Sequence, residues 1–199
     1  MKPDIKAAMD DGEPLDRMEP LLIAEGSQHR PALNDLALEL AQRSAGFRRS
    51  LPPSLVASLA ELVRAMNCYY SNLIEGHDTH PVDIERALRG DYSRDARKRD
   101  LQLEAKAHIA VQEWIDGGAL ARRAYMTDAV REIHRRFCEA LPEDLLWVED
   151  PSTGERLTVV AGEFRPRHVA VGQHVPVSPG AVPRFVERLA AVYGGLGKT

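Results

Sequence analysis

Apolar side chains recur at helical spacing along most of this chain. The clearest stripe follows Ser54, a residue type that commonly caps the N-terminus of a helix. Its members are separated by four, three, four and four positions: Leu55, Leu59, Leu62, Met66 and Tyr70. This spacing predicts an amphipathic helix. Gly76 favours an end there, because glycine readily adopts the left-handed conformation that terminates many helices.

The same period predicts helices on both sides of this one. Before it, a helix that starts at Pro31 and stops at Pro52–Pro53 has part of an apolar face in Leu33, Leu36, Leu40 and Phe47. After it, we expect a helix starting near Thr79 and Pro81, one over about residues 100–116, and one capped by Thr127 and ended by Pro142. A last helix has apolar residues at offsets of zero, three, four, seven and eleven: Val182, Phe185, Val186, Leu189 and Tyr193.

Residues 156–177 have a different pattern, in which β-branched side chains alternate with polar ones between glycine breakers. This pattern predicts a β-hairpin. A lone hairpin is unstable in water, so it must lie against the helices. The first 30 residues lack periodicity and predict an extended arm. The predicted fold class is therefore mainly α, a helical bundle with one β-hairpin flap.

Composition excludes several classes of function. The chain has 26 basic and 30 acidic residues and a net charge of −4, so no basic excess favours nucleic acid or an anionic membrane as partner. No apolar run approaches the roughly 18 residues of a membrane span, and the N-terminus lacks the apolar core of a signal peptide. We therefore expect a cytoplasmic protein. Its two cysteines, Cys68 and Cys138, lie in helical patterns and are interpreted as reduced, buried thiols.

Three other signals carry no chemistry. The terminal "GKT" lacks the glycine that a phosphate-binding loop requires five positions earlier, where Val192 stands. His77 and His80 lie three apart in a loop without a nearby third ligand, which argues against a metal site. His134 falls on an apolar stripe, and a buried histidine with one hydrogen-bond partner is the better interpretation.

One ordered set of features remains. The helix with the clearest stripe ends in "SNLIEG", a group of helices follows, and then come "AGEFRPRHVAVG" and a final amphipathic helix. From about residue 50 onward this order resembles the Fic family, whose members transfer AMP from ATP to hydroxyl side chains of target proteins. That family's inhibitory motif is Ser or Thr, three residues, Glu, then Gly or Asn, and Ser71, Glu75 and Gly76 match it in register.

The resemblance also implies an architecture. Residues 1–50 form an N-terminal arm and helix, and residues 51–199 form a partial Fic domain. The flap that aligns the target's modified segment covers about residues 161–177. Its candidate target-aligning residues are Gly162, Glu163, Phe164, Arg165, Val169, Val171 and Gly172.

The inhibitory role implied for Glu75 has a plain physical basis. A carboxylate at a helix end can form a charge-assisted pair with the arginine that binds the outer phosphate of ATP. A negative charge then faces the γ-phosphate, at a Coulomb cost on the order of 4 kcal/mol for 4 Å and an effective dielectric of 20. The nucleotide is also displaced from the geometry needed for in-line attack. Ser71, one turn earlier, lies where it can bind the same arginine.

The chain departs from the family at the catalytic loop, HPFxDGNGRxxR. None of the seven histidines is followed by Pro-Phe or by the glycine turn. The resemblance therefore predicts the N-terminal part of a protein adenylyltransferase that has no catalytic residue of its own and is inactive alone. The complete enzyme would use ATP and Mg, and neither is expected to bind this chain tightly.

Further possibilities stay open. The partner of the complete enzyme would be its target protein, and a homodimer is possible. Other interpretations are an inhibitory or protein-interaction module that offers Glu75 in trans, and a helical structural fragment without activity.

Overall fold

Six α-helices and one two-stranded antiparallel sheet form the described part of the chain. The structure is a computed structural model that describes residues 8–18, 22–77, 79–121, 123–149, 154–169 and 174–195. The elements are α1 (Arg30–Ser50), α2 (Pro53–Ile74), α3 (Pro81–Leu88), α4 (Ala96–Asp116), α5 (Thr127–Glu139), β1 (Trp147–Glu149), β2 (Arg156–Thr158) and α6 (Val182–Gly195). Two short 3₁₀ helices occupy Leu15–Met18 and Glu143–Leu145. The mainly helical fold class is confirmed.

Helix boundaries follow the predicted punctuation closely. Gly76 has φ of 78° and lies in the left-handed turn after α2, as predicted. Neither predicted N-cap residue is a cap, because α2 is preceded by Pro52 and α5 by Met126. Ser54 lies inside the first turn of α2, behind Pro53, and Thr127 is the first residue of α5. Proline fits the start of a helix because its missing N–H has no partner there anyway.

The core lies where α2, α3 and α4 pack together. Its centre is small and includes Cys68 and Ile84, which are fully buried beside Ala105 and Ile109. Burial raises the pKa of the Cys68 thiol to about 11, so the thiol is protonated in the folded protein. This agrees with the predicted reduced, buried cysteines, and Cys138 is buried too. Helix α5 packs on α4, and α6 packs on α5.

The side of α2 that packs on the core is not the apolar stripe that the sequence predicted. An amphipathic helix normally buries its apolar stripe, but here Leu55, Leu59, Leu62 and Tyr70 are exposed. The buried residues are Arg64, Cys68 and Asn72, which recur every four positions. Helix α4 offers small residues and polar partners, so a narrow mixed stripe fits against it better than large leucines do. The apolar residues of α1 are likewise exposed along the whole helix.

The β-hairpin lies earlier in the chain than predicted. Trp147 pairs with Thr158, and Glu149 pairs with Arg156. The predicted hairpin segment therefore supplies only its second strand, β2. Residues 161–169 form turns and irregular backbone instead of a flap hairpin. The alternating pattern was a real strand signal, but its partner strand comes from the segment after α5.

The N-terminal arm lies over the start of α6. The hydroxyl of Ser178 donates to Glu13 at 2.8 Å and accepts the N–H of Asp11 at 3.0 Å. Arg184 donates to both carboxylate oxygens of Asp10, at 2.7 and 2.9 Å. These bonds lower the pKa of Asp10 to about 2, so the pair is charged at neutral pH. The predicted extended arm is thus an ordered strap in its described part.

Gly180→Ala tests the strap. A Cβ at Gly180 would overlap the backbone of residues 8–10, which runs across it. We expect the substitution to displace the strap and to remove the hydrogen-exchange protection of the Gly180 and Asp11 amides. Gly46→Ala is the control, because its Cβ meets open space on α1. It should leave both amides protected. Equal protection in both variants would contradict the close approach.

Candidate functional site

The candidate site is the C-terminal end of α2. The helix is closed by backbone bonds from Glu75 N–H to the Ser71 carbonyl at 3.2 Å and from Gly76 N–H to the Leu73 carbonyl at 3.1 Å. Gly76 then turns the chain away in the left-handed conformation. Glu75 therefore occupies the last position before the turn, with a fixed backbone.

Buried polar contacts hold the loop that follows. The His77 N–H donates to the Asn72 carbonyl at 2.8 Å, and the Asn72 side-chain amide donates to the Thr79 hydroxyl at 3.4 Å. Asn72 and Thr79 are only 5% and 2% exposed. Because unpaired buried polar groups are costly, this pairing defines the path of the chain around Glu75.

Glu75 itself is exposed, and so is Ser71. Within the described residues, no arginine, lysine or histidine forms an ion pair with the Glu75 carboxylate. Some surface carboxylates have cationic partners, while others, among them Glu61, resemble Glu75 in having none among the described residues. Glu85 pairs with Arg89, and Glu163 pairs with Arg131. The carboxylate at the end of α2 is thus available to a cation from outside.

Ser71 and Glu75 share a helix face with a buried arginine. They follow Arg64 by seven and eleven positions, which is the spacing of one side of a helix. Arg64 itself donates to Asp116 at 3.2 Å and lies about 16 Å along the axis from Glu75. It is therefore no partner for Glu75. The exposed apolar stripe lies on a different side of α2.

The electrostatics around the turn are acidic. His77 Nδ1 lies 3.6 Å from a Glu104 carboxylate oxygen. Together with Arg64–Asp116, this contact shows that α2 and α4 run in opposite directions. Glu104 thus adds a second negative charge close to the loop that Glu75 begins. A cationic group is the natural ligand for such a surface.

The candidate flap residues lie against α5 instead. The N–H of Gly162 donates to His134 Nδ1 at 2.9 Å, and its carbonyl accepts from Arg131 at 2.7 Å. Gly162 has φ of 77°, and a Cβ there would lie 3.0 Å from the Cβ of Arg135, so the turn requires glycine. His134 was predicted as a buried histidine with one hydrogen-bond partner, but it is only half-buried, and its Nε2 also lies 3.4 Å from the sulfur of Cys138.

The remaining flap residues divide into three groups. Glu163 pairs with Arg131 at 2.6 Å, and the same guanidinium lies 5.8 Å from the centre of the Phe164 ring. Arg165 donates to the carbonyls of Arg167 and Val177, and the second bond joins this segment to the chain just before α6. Val169 is half-buried, while Val171 and Gly172 lie outside the described residues.

The two halves of the candidate site do not meet in the described residues. No hydrogen bond or ion pair there joins Ser71 or Glu75 to residues 162–165. Helix α2 packs with α3 and α4, whereas residues 162–163 are bound to α5. Any chemistry that uses both halves needs further protein between them.

The sequence analysis did not predict two features of the structure, the bonds of the N-terminal strap and the burial of Arg64. The strap bonds between residues 10–13 and 178–184 span more than 160 positions, and no local pattern indicates them. The burial of Arg64 had a weak signal, since it shares a four-residue spacing with Cys68 and Asn72. Large leucines on the opposite side outweighed that signal.

No metal or membrane feature is present in the described residues. They contain no cluster of three or more His, Cys, Asp or Glu side chains able to hold a metal ion. None of their helices combines the length and apolar character needed to span a bilayer. A cleft of about 430 Å³ between α4 and α5 is lined by Arg123 and Arg136, but each of these is paired with an acidic side chain.

Comparisons with profiles of known protein families, with curated protein sequences and with solved structures found no match to this chain.

Asn72→Ala tests what fixes the Glu75 turn. It leaves the buried Thr79 hydroxyl unpaired, so we expect a loss of about 1–3 kcal/mol in the free energy of unfolding. Asn67→Ala on the exposed side of the same helix is the control and should change it by less than about 0.5 kcal/mol. Urea denaturation measures both. Similar losses in the two variants would refute the bracing role of Asn72.

Proposed function

We propose that this chain is the regulatory, N-terminal part of a Fic-type protein adenylyltransferase. In this proposal α2 is an inhibitory helix that offers Glu75 to a phosphate-binding arginine. That arginine belongs to a catalytic part that carries the HPFxDGNGRxxR loop. The chain supplies no catalytic residue, and ATP and Mg act only in the complete enzyme.

The observation that carries the proposal is the exposed Glu75 carboxylate, which stands on a backbone held in place by the end of α2. It follows Ser71 by one turn on the same side of α2 and has no cationic partner among the described residues. A glutamate without a binding role does not require the buried hydrogen bond between Asn72 and Thr79, which holds the backbone next to it. A glutamate that must meet one arginine in a fixed geometry does, since the strength of such a pair depends on orientation.

The exposed side of α2 supports the same proposal. Leu55, Leu59 and Leu62 form an apolar stripe, and a protein seldom leaves such a stripe in water unless something packs on it. The remaining helices of a larger domain would cover it. A catalytic part docked there would reach Glu75 around the end of α2, because the stripe and Glu75 lie on different sides of the helix.

Inhibition then follows from charge and geometry. An arginine held by Glu75 cannot neutralise the γ-phosphate of ATP, and the carboxylate repels that phosphate. The α-phosphate is no longer in line with the attacking hydroxyl, so the rate of transfer falls even when nucleotide is bound. Removal of the carboxylate restores the free arginine.

The first prediction concerns the chain alone. With labelled ATP, Mg and candidate target proteins, we expect no transfer of AMP, because the 199 residues contain no match to the HPFxDGNGRxxR loop, which holds the family's general base. The prediction would be contradicted by label that stays on the target protein in denaturing electrophoresis and increases with the concentration of the chain.

The second prediction concerns Glu75. An intact Fic-family transferase whose own inhibitory glutamate is replaced by glycine is assayed with this chain added in excess. We expect the chain to lower the rate of AMP transfer. Glu75→Ala should weaken this inhibition at least about tenfold, measured as the chain concentration needed for half-inhibition, which is equivalent to 1.4 kcal/mol. Glu61→Ala is the control, since Glu61 is also exposed on α2.

Two outcomes count against the proposal. Equal inhibition by the wild-type chain and Glu75→Ala would show that the carboxylate plays no part. A loss of inhibition in Glu61→Ala as large as that in Glu75→Ala would indicate a general charge effect. Circular dichroism of each variant excludes unfolding as the cause.

A further inference from the structure

Helix α1 has no partner in the described part of the molecule. Every residue from position 31 to position 50 is exposed, and none of the elements that pack together includes α1. Its four largest apolar side chains on one side are Leu33, Leu36, Leu40 and Phe47, between 40% and 69% exposed. Most of a helix's stability in a protein comes from packing of its apolar side, so a helix of this kind requires a partner.

The apolar residues of α1 form a narrow seam. Leu33, Leu40 and Phe47 repeat every seven positions, and Leu36 lies between the first two, which is the arrangement that pairs helices side by side. Arg43 occupies the equivalent place between the last two. The seam is thus apolar in its first half and includes the long side chain of an arginine in its second.

We propose that α1 pairs with α1 of a second copy of this chain, antiparallel, with the two Leu40 residues at the centre. In a two-fold antiparallel pair, position 33 lies opposite position 47, and position 36 lies beside position 43 on the same flank. Leu33 then meets Phe47 of the partner subunit, and Leu36 lies along the aliphatic part of the partner's Arg43. The seam is then filled by apolar side chains and by the stem of an arginine.

Charge selects the antiparallel orientation. Glu39 and Arg43 lie on the same flank of the seam and already form an ion pair within the helix at 2.6 Å. A two-fold axis across the pair places equal flanks side by side, with heights reversed about Leu40. Glu39 of one copy then lies about 3 Å along the axis from the partner's Arg43. A parallel pair brings opposite flanks together and forms no such contact.

The wider charge distribution agrees. The first half of α1 contains Asp35, Glu39 and, at its first position, Arg30, for a net charge of −1, and the second half contains Arg43, Arg48 and Arg49. Antiparallel pairing places the acidic half of each helix beside the basic half of the other. Opposed helix dipoles favour the same orientation. The pairing uses no residue of the Glu75 site, so it stands or falls independently of the proposed function.

Sedimentation of the full chain tests the pairing. We expect the mass to rise from 22.1 kDa towards twice that value over about 10–200 µM, the range in which a small interface dissociates. Leu40→Lys adds two like charges at the centre, beside both Arg43 residues, and should leave a monomer. Leu38→Lys is the control, because Leu38 is 60% exposed on the opposite side of the helix. It should leave the dimer intact.

Cysteine cross-linking tests the orientation. A mixture of Leu33→Cys and Phe47→Cys chains should form the mixed disulfide on mild oxidation, and Leu33→Cys alone should form little. Both native thiols are buried and stay out of the reaction. Circular dichroism checks that each variant is folded.

Each other result overturns the proposal. A wild-type chain that stays at 22.1 kDa over the whole range excludes self-pairing. Equal effects of Leu40→Lys and Leu38→Lys exclude this face. Preferential cross-linking of position 33 to itself excludes the antiparallel orientation.

Discussion

The arrangement of the molecule depends on how α2 is rotated against α4. The buried Arg64 donates to the half-exposed Asp116 at 3.2 Å and lies on the same side of α2 as Cys68 and Asn72. A buried arginine that loses its partner is left with an uncompensated charge, so this contact disfavours other rotations of the helix, although solvent at the half-exposed Asp116 weakens the effect. The apolar stripe is consequently held outside. The same rotation places Ser71 and Glu75 at the end of the polar side.

This constraint also determines which residues are buried and which are exposed at the end of α2. Asn72 continues the buried stripe and fixes the turn through Thr79, while Glu75 follows it into solvent. A rigid support behind a single exposed carboxylate is the design expected of a group that must meet one cation in a defined geometry. The apolar side of α2 and the whole of α1 remain as surfaces for other protein. In the proposed function, the apolar side of α2 is the surface on which the catalytic part packs.

The sequence predicted the helices and strands better than it predicted which of them pack together. Helical spacing and glycine punctuation located α1 to α6 within a few residues, because both signals are local. The rotation of α2 was missed, since Leu55 and Leu62 indicate a core whereas the selecting contact, Arg64 to Asp116, spans 52 positions. The hairpin was shifted because alternation marks a strand but not its partner. Ser71, Glu75 and Gly76 were identified by motif, and only coordinates show the brace behind them.

Thiol labelling measures the rotation of α2 most directly. In dilute Leu62→Cys protein, we expect position 62 to react with a maleimide at nearly the rate of a free thiol. Cys68 on the same helix should stay unreacted until urea unfolds the chain, because it is fully buried with a raised pKa. Protection of position 62 together with labelling of Cys68 would show the helix turned the other way, with its leucines in the core and Arg64 outside.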